Sequence, residues 1–134
     1  MNEEIALLLK DEGFTNVFII NPPSDRDFIL VSNSGGYGLE DNNNSLTNPT
    51  IQIMVVNKDY RTAKNILKGI KKYFMSITYK EIDTILSGIV IDGFTYESGE
   101  LEGLILQSDT LELGIDSQLR HRISINYMLF QNII

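Results

Sequence analysis

Residues 48–74, NPTIQIMVVNKDYRTAKNILKGIKKYF, change from a strand pattern to a helix pattern within a few positions. Apolar residues at 51, 53 and 55 alternate with Gln52 and Met54, which is typical of a strand with one buried face. Asp59 follows, and aspartate is a favoured helix N-cap. The stretch therefore predicts a strand that leads directly into a helix.

The predicted helix is amphipathic. Its apolar residues recur at three- and four-residue steps, at Tyr60, Ala63, Leu67, Ile70, Phe74 and Ile77. The opposite side carries lysines, at positions 64, 68, 71 and 72. We expect the apolar stripe to lie on a sheet. The lysines are typical of a solvated helix face, and contact with an acidic partner or nucleic acid stays open as an alternative.

The length and composition of the chain are typical of one globular domain. The chain has 134 residues, of which 43% are hydrophobic and 22% charged, close to globular averages. A net charge of −7 argues against a protein that grips phosphate backbones. The absence of cysteine excludes disulfides and thiolate chemistry. The acidic N-terminus is unlike a secretory signal, and the lack of any run of about 18 apolar residues predicts no membrane association.

The remaining segments predict an α+β fold. We expect a short N-terminal helix at 3–12, ended by Gly13, and strands at 17–20, 28–31, 82–91, 94–97, 101–107 and 123–130. A loop rich in Gly, Asn and Ser at 32–48 is predicted to be flexible, and a β-hairpin arm is predicted near 93–104. The predicted architecture is a single domain, 1–134, with a mainly antiparallel sheet and the long helix packed across it.

No pattern in the sequence predicts catalysis. The cluster at Gly35 and Gly36 lacks the Gly-Lys-Ser/Thr of a phosphate-binding loop. The acidic pairs lie in turn-rich stretches and lack the spacing of a calcium loop. His121, the sole histidine, stands between Arg120 and Arg122 with no nucleophile indicated nearby. We therefore predict a protein that is not an enzyme and has no catalytic residue, metal ligand or cofactor.

Several residues match a viral family pattern. A glycine pair stands in the loop, a proline opens the next strand, and a Tyr and an Ala open the long helix. A Leu-Gly, an Asp, an Arg and a late Asn follow near the C-terminus. In this chain the matching residues are Gly35, Gly36, Pro49, Tyr60, Ala63, Leu113, Gly114, Asp116, Arg120 and Asn126. On these residues the chain resembles the tail terminator, or tail-to-head joining, proteins of long-tailed bacteriophages, a family that includes proteins called minor capsid proteins.

The resemblance implies a structural protein of the virion. Such proteins form a hexameric ring that stops elongation of the tail tube and joins the tail to the head connector. The implied partners are further copies of the chain, the major tail tube protein and the head connector or stopper protein, while DNA passes through without specific binding. The implied location is the head–tail junction, with host cytoplasm before assembly. The chain departs from the pattern at Asn57, where many relatives have an Arg, and in a longer 93–103 segment.

Loops on such a rigid scaffold are candidate binding arms. The loop at 32–48 contributes Tyr37, Glu40 and Asp41 as predicted interface residues, and the hairpin arm contributes Tyr96, Glu100 and Leu104. The third predicted set is Asp116, Arg120 and Arg122. Asp116 and one of these arginines form an ion pair either across the ring interface or within one hairpin; both remain open. Glu40, Asp41, Glu100 and Glu102 are predicted to line the channel, where negative charge repels DNA.

Other functions remain open from the sequence. The chain is alternatively another neck or head-completion protein, or a small cytosolic adaptor that stays monomeric and joins no particle. A small carboxylate-dependent hydrolase is a third alternative, and it predicts that acidic side chains from distant segments converge in a pocket.

Overall fold

A computed structural model describes residues 2–37, 48–91, 93–97 and 99–131 of the chain. Three helices pack against a mostly antiparallel sheet, in agreement with the predicted α+β class. In chain order the elements are α1 (Asn2–Glu12), β1 (Val17–Phe18), β2 (Phe28–Tyr37), β3 (Asn48–Asn57), α2 (Tyr60–Ser76), α3 (Tyr79–Leu86), β4 (Val90–Ile91), β5 (Phe94–Thr95), β6 (Leu101–Leu106), β7 (Leu111–Ile115) and β8 (His121–Gln131).

β3 and β8 form the centre of the sheet, and their sequence patterns are confirmed. They pair antiparallel without interruption from Thr50 opposite Met128 to Asn57 opposite His121. Alternate side chains of both strands point into the core. The buried residues on this face are Ile51, Ile53, Val55, Ile123, Ile125, Tyr127 and Leu129.

α2 lies across these two strands, as its apolar stripe predicts. Asp59 caps the helix: one carboxylate oxygen accepts the N–H of Arg61 at 3.2 Å, and the other accepts the Thr62 hydroxyl at 2.7 Å. The Phe74 ring meets Tyr127 of β8 edge-on, with centroids 5.1 Å apart. The buried residues of the stripe are Ala63, Leu67, Ile70 and Phe74. The packing of this stripe on the sheet joins α2, β3 and β8 in one hydrophobic core.

The predicted strand at 82–91 is wrong over most of its length, because residues 79–86 form α3. Thr78 and Glu81 make a capping box, in which each side chain accepts the backbone N–H of the other residue, at 3.2 and 3.1 Å. Ile82 and Leu86 are then buried on one face of the helix. The cap and the four-residue apolar spacing outweigh the strand preference of the isoleucines.

Two predicted boundaries also shift. β2 and β3 extend into the stretch predicted as a loop, since Gly36 pairs with Pro49 and Tyr37 with Asn48. The remainder of that loop, 38–47, lies outside the described residues. The predicted arm near 93–104 divides into two parts: a short β4–β5 hairpin, with Ile91 opposite Phe94, and β6, which belongs to the main sheet.

One edge of the sheet is made of two strands. β6 pairs with the second half of β8 and β7 with its first half. Between them, the N–H of Gln107 donates to the carbonyl of Asn126 at 2.9 Å. At the opposite edge, β1 runs parallel to β2 for two residues, shorter than the predicted 17–20. No helix in the described ranges has the length and apolar character needed to cross a bilayer.

Candidate interaction surfaces

The Asp116–Arg120 ion pair lies within one hairpin of the chain. Asp116 accepts the backbone N–H groups of Gln118 at 2.9 Å and Arg120 at 2.8 Å. Its second oxygen lies 2.9 Å from Arg120 Nε. Burial opposes the charged carboxylate, but the backbone and guanidinium hydrogen bonds outweigh it and hold the pKa of Asp116 below its usual 3.8. The pair therefore shapes the turn between β7 and β8.

Arg120 also ties this turn to the start of β2. Its side chain is nearly buried, its guanidinium donates to the backbone carbonyl of Arg26, and it lies 5.2 Å from the centroid of the Phe28 ring. A cation held by a carboxylate, a carbonyl and an aromatic face has satisfied partners inside its own chain. The structure thus gives Arg120 an internal role.

Arg122 belongs to the same edge of the sheet. It donates through one terminal nitrogen to the carbonyl of Leu113 at 2.8 Å. Its Nε is buried without a hydrogen-bond partner among the described residues. His121, beside it, packs its ring against Tyr60 with centroids 5.3 Å apart. These contacts join β7, β8 and the first turn of α2.

The predicted hairpin residues mostly stabilise their own segment. Tyr96 is only 6% exposed; its hydroxyl donates to Asp83 at 3.2 Å and accepts the N–H of Leu101 at 3.1 Å. Burial is the main cause that raises the pKa of Tyr96 to about 12, so the donating proton is retained at neutral pH. Glu100 accepts the N–H of Glu97 at 2.6 Å. Leu104 is half-buried against the core.

The predicted loop residues are only partly placed. Tyr37 stands at the end of β2, opposite Asn48 of β3. Glu40 and Asp41 lie outside the described residues, so their predicted role at an interface stays a prediction.

An open groove of about 620 Å³ runs beside α2, and sequence reasoning missed it. Its apolar floor includes Leu67 of the helix and Ile123 of β8, and Met75 stands exposed at one end. Thr110, from the connection between β6 and β7, lines the far side. The basic residues that line it are Arg61, Lys64, Lys68, Lys71 and Lys72. We call this surface the α2 groove.

The α2 groove combines positive charge with an apolar floor. Its lining contains no acidic residue among those the structure describes. Lys64 lies over the Tyr60 ring, 5.3 Å from its centroid, but within the described part of the chain none of the five cations forms a salt bridge. A surface of this kind is suited to an acidic partner that also carries apolar side chains.

The β4–β5 hairpin is a second exposed surface, and it is apolar and acidic. Phe94 is 80% exposed and Val90 62% exposed, large values for side chains of this type. Glu97 follows the hairpin and is also exposed. The sequence signal for this surface is the run from 81 to 119, which contains nine acidic residues and no Lys or Arg.

The edge formed by β6 and β7 is a third surface. All five residues of β7 are exposed, and the large exposed apolar side chains of this edge are Ile105, Leu106, Leu111, Leu113 and Ile115. Register shifts interrupt the edge between Leu101 and Gly103 and between Glu112 and Gly114. Such bulges discourage uncontrolled pairing with other strands.

No metal centre is assembled in the described ranges. Among those residues there is no group of three or more His, Asp or Glu side chains that could hold an ion. The acidic side chains instead cap helices, brace turns or stand exposed, as Asp59, Asp116 and Glu97 do.

Similarity to known proteins is found among solved structures. No family model matches the chain, and no curated protein matches it. One matching structure is a chain from "Virion of native gene transfer agent (GTA) particle", with 16% sequence identity and a TM-score of 0.47. The alignment covers 93% of this chain and 84% of that chain.

Proposed function

We propose that the protein is a virion structural protein of a long-tailed bacteriophage that caps the head-proximal end of the tail tube. In this function it stops tail elongation and joins the tail to the head connector as a ring of six copies. The observation that carries the proposal is the C-terminal part of the resemblance, Leu113 and Gly114 followed by Asp116, Arg120 and Asn126. These residues fall on β7, β8 and the turn between them.

Three of these residues have structural roles in β7 and in the turn that follows it. Gly114 adopts a left-handed backbone, with φ of 85°, at the bulge of β7. Asp116 braces the turn, and Arg120 ties it to the segment just before β2 through the carbonyl of Arg26. A pattern of this kind specifies a shape, which supports a family whose members act as rigid building blocks.

The distribution of surfaces also supports assembly. The chain presents a basic groove and an acidic, apolar hairpin, and neighbouring copies in a ring meet through two different surfaces. The further partners in this function are the major tail tube protein and the head connector or stopper protein. The excess of negative charge, −7 overall, suits a channel through which DNA passes without binding. Glu40, Asp41, Glu100 and Glu102 are the residues we assign to that channel.

The first test is immunogold electron microscopy of purified particles and isolated tails, with antibody against this protein. The expected result is label confined to the head-proximal end of the tail. A tail protein unrelated to the neck, labelled along the whole tube, is the matched control. Label elsewhere on the particle would contradict the terminator function and favour that of another neck or head-completion protein. Unlabelled particles in a lysate rich in the protein would contradict a virion function and favour a cytosolic adaptor.

A second test addresses the channel. Reversing the charge of Glu100 and Glu102 to Lys is expected to slow DNA ejection from assembled particles, because the passing phosphates then meet cations. The same reversal at Asp11, exposed in α1, and at Asp109, exposed on the connection between β6 and β7, is the control. Unchanged ejection in both variants would remove the acidic-channel part of the proposal and leave the ring untouched.

A further inference from the structure

We infer that the α2 groove of one copy of the chain binds the β4–β5 hairpin of a second copy. The contact is head-to-tail, so each bound copy keeps one free hairpin or one free groove for the next. This inference rests on the proposed function only in supposing that copies meet in a ring; the contact itself is argued from the two surfaces.

The groove has what an acidic, apolar insert requires. Leu67 and Ile123 close the base of the groove but are only 2% and 1% exposed, so the apolar contact area for an inserted ring comes mainly from the exposed Met75 and from the side-chain stems of the lysines. The five cations stand around that floor, and long lysine and arginine stems add apolar contact area below their charges. α2 contains no acidic residue that would compete for them. The charges are therefore available to a partner.

The hairpin has the complementary chemistry. Phe94 and Val90 project with most of their surface in solvent, and Glu97 supplies an exposed carboxylate two residues after β5. The hairpin is anchored by Tyr96, whose N–H donates to the carbonyl of Ile89 at 2.8 Å and whose hydroxyl meets Asp83. An anchored hairpin loses little conformational freedom on binding, which favours association.

Charge favours a second copy as the occupant of the groove. Five of the eleven Lys and Arg residues of the chain line the groove. The chain carries −7 with these five cations included, so the remainder of the molecule carries −12. Nine of the eighteen acidic residues fall in the segment 81–119, which includes the hairpin. Several of these carboxylates accept hydrogen bonds within their own chain, as Asp83 and Asp116 do, but Glu97 is exposed beside the hairpin and can meet the cations of a second copy.

Nucleic acid is a poorer occupant on the same grounds. A phosphate backbone needs no apolar floor, and it would be repelled by the acidic remainder of the chain. The Phe94 ring can pack on the apolar part of the groove, and a carboxylate can pair with the cations around it. The hairpin therefore uses both properties of the groove.

The absence of cysteine from the chain permits a direct test. Asn65, which lines the groove, and Thr95, which is exposed on the hairpin, are each replaced by Cys in separate full-length variants. One variant carries a size tag, and the two are mixed and oxidised at high concentration. Asn33→Cys replaces the groove variant in the control, because Asn33 is exposed on β2 and does not line the groove.

The expected result is a mixed disulfide dimer of N65C with T95C, read by non-reducing gel electrophoresis. It should exceed the N33C–T95C control roughly tenfold, which corresponds to a favourable contact of only ~1.4 kcal/mol. Lys68→Glu in the groove variant should reduce the yield, and Glu97→Lys in the hairpin variant should restore it. Circular dichroism checks that every variant is folded. Yields equal to the control would overturn the inference.

The failure of this contact is distinguishable from failure of the proposed function. Gold label at the head-proximal tail end together with control-level cross-linking would keep the terminator function and show that the ring uses other surfaces. Strong, charge-dependent cross-linking without label on particles would keep the groove–hairpin contact and remove the terminator function. If Glu97→Lys restores the cross-linking that Lys68→Glu reduces, the groove binds the hairpin. A groove that binds an unrelated acidic protein would show no such rescue.

Discussion

β8 has a neighbour on each side, and the two sides differ. Towards β3, the ladder is continuous over eight residue pairs, and the side chains on the helix face are fully buried. On the other side, β6 and β7 share the strand, their register shifts twice, and the connection at 107–110 separates them. The continuous side holds the core together, while the interrupted side presents apolar residues at the surface without offering a long straight edge.

The largest expected effect is a cavity at the continuous side. Ile53 is fully buried in β3, and Ile53→Ala should lower the free energy of unfolding by about 2–5 kcal/mol. Ile105→Ala, on β6, is the matched control because half of its side-chain surface is already exposed. Urea unfolding followed by circular dichroism measures both. Similar losses in the two variants would contradict the division between core side and surface side.

Asp116→Asn tests the brace at the end of the interrupted side. The variant loses the carboxylate charge that holds Arg120 and weakens the hydrogen bonds from the Gln118 and Arg120 N–H groups. We expect a loss of about 1.5–3 kcal/mol at pH 7. Asp109→Asn, exposed on the connection between β6 and β7, should stay within about 0.5 kcal/mol of the parent chain. Equal effects of the two substitutions would show that the brace contributes little.

The same variant makes a prediction about pH. The pKa of Asp116 is lowered by folding from the usual 3.8, so its contribution is present above about pH 4 and is lost as pH falls through the lower, folded-state pKa. The difference in unfolding free energy between the parent chain and Asp116→Asn should therefore shrink below about pH 4. A difference that stayed constant from pH 7 to pH 3 would contradict this origin of the stability.

Gly114 and Gly103 form a matched pair on the interrupted edge. An added Cβ meets no atom within 4 Å at either position, but only Gly114 has a left-handed φ, of +85°. Gly114→Ala should cost about 1–2 kcal/mol through backbone strain, whereas Gly103→Ala should be nearly neutral. Thermal unfolding compares the two. A costly Gly103→Ala would mean that packing, and not backbone conformation, selects glycine on this edge.

The smallest effect is expected at the cap of α3, which lies over β6. Thr78→Ala removes the hydroxyl that accepts the Glu81 N–H and should cost about 1 kcal/mol. Thr84→Ala, in the same helix, is the control: its hydroxyl only donates to the carbonyl of Lys80, and alanine has the higher helix propensity. Urea unfolding should therefore show a loss for the first variant and none for the second.

The sequence predicts the continuous side better than the interrupted side, for a physical reason. β3, β8 and α2 each bury one face, and burial imposes a period of two or of about 3.6 on their apolar residues. β7 is missed although Leu111, Leu113 and Ile115 alternate with Glu112 and Gly114, because the strand has five residues and all of them are exposed, so the alternation marks no core-facing side. α3 is missed because its isoleucines favour strands, although the spacing of Thr78 and Glu81 was a readable capping signal.

The candidate surfaces also differ in how far the sequence predicts them. The basic side of α2 is visible in its lysine spacing, but the groove needs Ile123 and Thr110 beside the helix, and only the tertiary fold brings them there. Tyr96 lies in a turn-rich acidic stretch, yet its hydroxyl bonds to Asp83 and Leu101 and the ring is buried. The choice between an internal and an external partner for Asp116 likewise depends on the turn geometry that places Arg120.

The central position of β8 also determines when the chain can complete its fold. β2 and β3 are near in sequence, but Gln52 of β3 bonds to Ser124 of β8 across 72 positions of the chain. During synthesis the backbone edge of β3 that pairs with β8 therefore stays unpaired until β8 emerges, after all three helices. Such distant pairing slows folding and leaves an unpaired edge exposed to other nascent chains. Completion of the sheet is thus timed by the arrival of β8.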